Sequence, residues 1–131
     1  MWSLSSAPRC SVLSREERES IARQAEGLWR SRAWPDGPED VLRELGFAVQ
    51  ERSLSAGWAR VLARVDLNAR TVCIDREAAA SYAAEQGMAG AEAERMALAH
   101  ELGHILLPQP SREAAEAAAR TFAEYWRRPV C

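Results

Sequence analysis

His100, Glu101 and His104 are the residues whose types and spacing allow joint chemistry. Within a helix, positions i and i+4 share one face, one turn apart. The pentad His100-Glu101-Leu102-Gly103-His104 therefore presents two imidazoles at the spacing that two ligands of a tetrahedral zinc require. The glutamate between them can reach a water at the fourth position and take its proton, which is the chemistry of a zinc hydrolase. The chain has two histidines in all, so no imidazole remains for a further ligand. Catalytic zinc normally takes three protein ligands, and the third must be a carboxylate or a cysteine. Cys10, Cys73 and Cys131 are widely spaced and form no Cys-x-x-Cys. They read as reduced thiols rather than as a metal knuckle or a disulfide framework.

The element that carries the pentad is legible from its flanks. Glu92 to Ala99 are strong helix formers, Ile105-Leu106-Leu107 continues the pattern, and Pro108 stops it. Met96, Ala99, Leu102, Ile105 and Leu106 recur at three- and four-residue steps, which predicts a buried face. Gly103 inside that helix costs about 1 kcal/mol relative to alanine. Its bare backbone suits either the close approach of a metal-bound group or tight helix packing.

A carboxylate ligand can be sought on the next helix, Arg112–Arg127. Pro108-Gln109-Pro110 makes a short turn and Ser111 is an N-cap candidate, so this helix folds back antiparallel on the first. At 1.5 Å per residue the two histidines place a metal about 8 Å from the Leu107 end. Glu116 lies about 7.5 Å along the returning helix, whereas Glu113 lies only about 3 Å along it. Glu116 also borders an apolar stripe of Ala115, Ala119, Phe122 and Trp126. The expected metal ligands are His100, His104 and Glu116, with Glu113 as the reserve and Glu101 as the catalytic base. A solvated surface acid is the competing reading for both Glu113 and Glu116.

The remaining elements follow from caps, turns and periodicity. Residues 1–13 lack a pattern and read as a flexible N-terminal arm, with 14–131 as one domain. Ser14 with Glu17 forms a capping box opening a helix to about Arg30, its stripe made by Ile21, Ala25, Leu28 and Trp29. Pro38 opens a second helix, Glu39–Leu45, closed by Gly46. Phe47–Arg52, Trp58–Asp66 and Thr71–Asp75 read as strands, with a turn at Asn68. Helices over Glu77–Glu85, Gly90–Leu107 and Arg112–Arg127 follow. The expected fold class is α+β: a small antiparallel three-stranded sheet with helices packed on one face.

Composition excludes several functions. Seventeen basic residues, all arginine, against nineteen acidic ones leave a net charge of −2, which offers no electrostatic basis for nucleic-acid or anionic-membrane binding. No apolar run is long enough to span a bilayer, and the N-terminus lacks signal-peptide order. A cytoplasmic location is expected. No phosphate loop or nucleophile elbow is present. Tyr82 and Tyr125 are candidate hydrogen-bond donors to an oxyanion, though tyrosines at helical spacing usually pack.

Ala97-Leu98-Ala99-His100-Glu101-Leu102-Gly103-His104-Ile105-Leu106-Leu107 resembles the core of the ImmA/IrrE (DUF955) metallopeptidases. Phe122-Ala123-Glu124 followed by Pro129 is similar to that family's Phe-Ala…Pro ending, and Leu42–Val49 resembles its opening helix, glycine and strand. The resemblance spans roughly residues 36–129. Where that family usually carries acids and Glu-Ala-Asn, this chain has Ala118, Ala119 and Arg120. The resemblance implies a zincin-like fold, a zinc cofactor and a protein or peptide substrate, often a helix-turn-helix repressor, in phage, mobile-element or stress regulation of a bacterium. The alanines near Phe122 motivate an alternative: a non-catalytic zincin-fold binding module. A third reading is a structural protein with a fortuitous pentad.

Overall fold

A computed structural model describes residues 13–54 and 61–127. The expected N-terminal arm lies almost wholly outside these residues, as do Trp58, Pro129 and two of the three cysteines. Five helices and three strands are described: α1 (Arg15–Arg30), α2 (Pro38–Glu44), β1 (Ala48–Glu51), β2 (Ala63–Asp66), β3 (Thr71–Ile74), α3 (Arg76–Gln86), α4 (Gly90–Leu106) and α5 (Arg112–Arg127). The class is α+β.

Local chemistry sets most of the boundaries. The Ser14 hydroxyl accepts from the Glu17 N–H, and the Glu17 carboxylate accepts from the Ser14 N–H at 2.8 Å, completing the capping box of α1. Pro38 sits in the first turn of α2. Gly46 follows that helix at φ +89°, a left-handed conformation costly for residues with a Cβ. It turns the chain directly into β1. Asp75 caps α3 by accepting from the Ala78 N–H at 3.0 Å, while its second oxygen accepts from Leu54 N–H at 2.9 Å. One buried carboxylate thus ties the exit of β1 to the start of α3.

The sheet is mixed, not antiparallel as expected. Its order is β1-β3-β2, with β1 parallel and β2 antiparallel to β3. The turn expected at Asn68 does join β2 to β3, in a register that sets Asp66 opposite Thr71. The difference concerns β1: residues 52–62 are long enough to carry the chain past one strand position, so β2 enters at the edge and β3 fills the middle. Val72 and Ile74 of that middle strand are fully buried.

The main core joins Leu42, Val72, Ile74, Leu98, Leu102 and Phe122 with Ile21 and Ala25 of α1. Trp29, Trp34, Phe122, Tyr125 and Trp126 stack or meet edge-on where α1 meets α5, at centroid separations of 5.4–6.3 Å. Helices α4 and α5 run antiparallel: Arg127 pairs with Glu92 at one end and Glu116 with His104 nearer the turn. A Cβ built at Gly103 would lie 2.8 Å from the Ala119 Cα and 3.2 Å from its carbonyl oxygen. Gly103 therefore lets the two backbones touch, and tight helix packing is its role. Among the described residues, no helix is long and apolar enough to cross a membrane.

Candidate metal centre

The pentad lies in the C-terminal half of α4. Leu102 and Gly103 face the core, and His100 and His104 are half-buried on the side facing α5 and the sheet. Their rings meet edge-on, with centroids 4.9 Å apart. From α5, Glu116 reaches both imidazoles. Its Oε1 stands 3.1 Å from the His100 Nε2 and its Oε2 3.1 Å from the His104 Nε2. Ligand atoms of all three residues lie within 4.8 Å of one another.

This donor set fits a zinc ion. Ligand atoms 2.0–2.1 Å from a tetrahedral centre stand about 3.3 Å apart, close to the two separations observed. Two nitrogens and a carboxylate are also a ligand type that catalytic zinc uses. Glu113, the reserve candidate, is exposed in the first turn of α5, and the structure does not bring it to the two histidines. The stripe expected to flank Glu116 is shifted: Ala114, Ala118, Ala119 and Ala123 are buried with Phe122 and Trp126, while Ala115 is only partly so.

Glu101 is 8% exposed. Burial, reinforced by the negative charge of Glu116, raises its carboxyl pKa to about 7, while a hydrogen bond donated by the Val65 N–H opposes the rise. This is the range in which a carboxylate can both take and return a proton near neutrality. His100 is shifted downward, chiefly because burial penalises the imidazolium. Glu116 opposes that shift, while His104 and Arg120 add to it.

Val65 contributes through its backbone, so no sequence pattern announces it. Asp75 N–H donates to Leu62 C=O at 2.8 Å. By the alternation of an antiparallel ladder, residues 62, 64 and 66 turn their backbone groups toward β3, and 63 and 65 turn theirs outward. The outer edge of β2 therefore carries backbone donors and acceptors that β3 does not use. That edge borders a cleft of about 1190 Å³, which also exposes His100, Glu101, His104 and Glu116. Tyr82 and Met96 line it on the helical side, and Leu67 at the β2–β3 turn is 61% exposed beside it. Of the two tyrosines considered from sequence, Tyr82 lines the cleft, whereas Tyr125 stacks on Trp29 at 5.6 Å. Arg64 and Arg112 also line the cleft. Arg112 and Arg120 are legible once Glu116 is chosen, since each lies one turn from it along α5. Comparison of the chain with protein-family models, with curated proteins and with solved structures finds no match.

Proposed function

We propose that the protein is a zinc-dependent peptidase of the ImmA/IrrE type. The observation that carries this reading is the convergence of His100, His104 and Glu116 on one point beside the buried Glu101, in a cleft bordered by the edge of β2 that β3 does not use. His100 and His104 would hold zinc through Nε2 and Glu116 through its carboxylate. When bound, zinc supplies Lewis-acid polarisation of a carbonyl and of a water. Glu101 takes the proton of the attacking water and delivers it to the amine nitrogen as the C–N bond breaks. The outward backbone groups of Ala63 and the outward carbonyl of Val65, whose N–H is engaged by Glu101, suit an extended peptide laid along β2, since strand addition needs only main-chain partners. The family resemblance of residues 97–107 and 122–129 implies a protein substrate, with a helix-turn-helix repressor as the first candidate.

A non-catalytic module of the same architecture is the second reading. Ala118 and Ala119 are fully buried, and exposed Arg120 acts electrostatically on His100, at positions where the family it resembles usually carries acids and Glu-Ala-Asn. Hydrolysis of a candidate repressor by zinc-loaded wild type and by Glu101→Gln decides between the two. The amide keeps the shape but cannot take the proton, so cleavage should fall by at least about a hundredfold while zinc stoichiometry stays unchanged. Equal cleavage by both proteins would overturn the role of Glu101, and no cleavage by either would favour the binding module.

A further inference from the structure

Six of the described arginines, Arg15, Arg30, Arg32, Arg43, Arg76 and Arg127, pair with an acidic side chain. Two that line the cleft do not. Arg64, on β2, and Arg112, in the first turn of α5, are exposed and line the cleft, and neither has an ion-pair partner among the described residues. The position of Arg112 is unfavourable for its own helix, because a cation in the first turn opposes the positive end of the helix dipole. Helix stability therefore does not account for it. Glu116, one turn away, directs both carboxylate oxygens at the two imidazoles instead of at this guanidinium. The outcome is two arginines that line the cleft holding the metal-ligand cluster, neither with an ion-pair partner among the described residues.

We propose that Arg64 and Arg112 bind side-chain carboxylates of the substrate, so that the cleft selects an acidic segment of polypeptide. This inference rests on the peptidase reading for its location and goes beyond it in naming the substrate's chemistry. A guanidinium meets a carboxylate with two parallel N–H donors, which gives orientation as well as attraction. The cleft runs along the whole of residues 61–68, which suits a chain passing through more than a chain end. A nucleic-acid backbone would also attract arginine. However, stacking of bases needs several aromatic rings, and among the described residues Tyr82 is the one Phe, Tyr or Trp side chain lining the cleft. Peptide is the better match.

Binding can be measured without turnover on zinc-loaded Glu101→Gln protein. The probes are fluorescein-labelled peptides with blocked termini that differ only in a Glu pair, a Gln pair or a Lys pair. Two further probes are the Gln peptide with a free C-terminal carboxylate and a single-stranded oligonucleotide. The Glu peptide should bind about tenfold more tightly than the Gln peptide at low salt, and the preference should shrink as salt is added. Arg64→Gln and Arg112→Gln should each reduce that preference, and Arg112→Lys should keep part of it, with zinc affinity unaltered and melting temperature not lowered. Equal binding of the Glu and Gln peptides would overturn the proposal, as would a preference untouched by both arginine substitutions. Equally strong binding of the oligonucleotide, or of the peptide with only a free C-terminus, would overturn it too. Wild type that binds the Glu peptide with this preference yet never cleaves it would remove the peptidase reading and leave the carboxylate site standing.

Discussion

Two carboxylates of one site stand in different environments, and that difference decides what each can do. Glu116 is about half exposed and meets two imidazoles, whereas Glu101 is buried with one backbone donor. If Glu116 is a ligand, Glu116→Ala should weaken zinc binding by orders of magnitude, because it removes one of three protein donors. Glu113→Ala, which removes an exposed first-turn acid, should leave zinc affinity unchanged and cost at most about 0.3–1 kcal/mol of helix stability. A chelator-competition titration of both variants measures this, and equal affinities would dismiss Glu116 as a ligand. The Glu101 carboxyl has a sign that can be worked out for metal-free protein. Its pKa is raised from 4.5 to about 7 on folding, so the folded state holds the proton more tightly than the unfolded state. Stability from this group is fully present below pH 4.5 and is lost as pH rises through about 7. Metal-free Glu101→Gln carries no such charge and still accepts from the Val65 N–H through its amide oxygen. Its stability relative to wild type should grow between pH 5 and 8 by about 1–3 kcal/mol and then level off. Denaturant titrations at several pH values test this, and a pH-independent difference would rule it out.

The geometry of the candidate centre is a property of two helices and their contact. Nothing fixes Glu116 opposite His100 and His104 except the register of α5 on α4, and that register is held where Gly103 meets the Ala119 backbone. Gly103→Ala improves helix propensity by about 1 kcal/mol. It also places a methyl group 2.8 Å from the Ala119 Cα, an overlap that must move one helix. Overpacking of this kind costs about 1–3 kcal/mol, so the variant should melt lower than wild type and bind zinc more weakly. Ala119→Gly should not rescue it, since the nearest atom belongs to the backbone. A variant that melts higher would mean the helices can separate freely. At the other wall, β2 is positioned by its hairpin with β3 and by the Asp75 N–H, which donates to the Leu62 carbonyl just before it.

Across the whole molecule, a metal at this site would join α4, which packs on the sheet and on α2 and α3, to α5, which packs on α1 and α4. Binding to the folded state alone should stabilise the chain by linkage, about 2.7 kcal/mol at a hundredfold excess of zinc over Kd. Addition of a chelator should therefore lower the melting temperature of zinc-loaded wild type and leave that of His100→Ala unmoved. Identical chelator shifts in the two proteins would place the metal elsewhere.

The sequence by itself determined whatever depends on near neighbours along the chain. The Ser14–Glu17 capping box, the Pro38 helix start, the hairpin turn at 67–70 and the i, i+4 facing of His100 and His104 are local, and they can be read from residue types and intervals. Glu116 was also legible, because a three-residue Pro-containing connection leaves few ways for α5 to return along α4, and helix rise then sets its level. Strand order was not legible. Alternation reports which way side chains face, and it is silent on whether β1 pairs with β2 or reaches past it to β3. Nor could the sequence single out Val65, whose role belongs to a backbone N–H that every residue but proline has. The raised pKa of Glu101 and the unpaired state of Arg64 and Arg112 likewise belong to the tertiary structure. Desolvation and charge pairing depend on which distant elements close over a side chain, and local spacing carries no record of that.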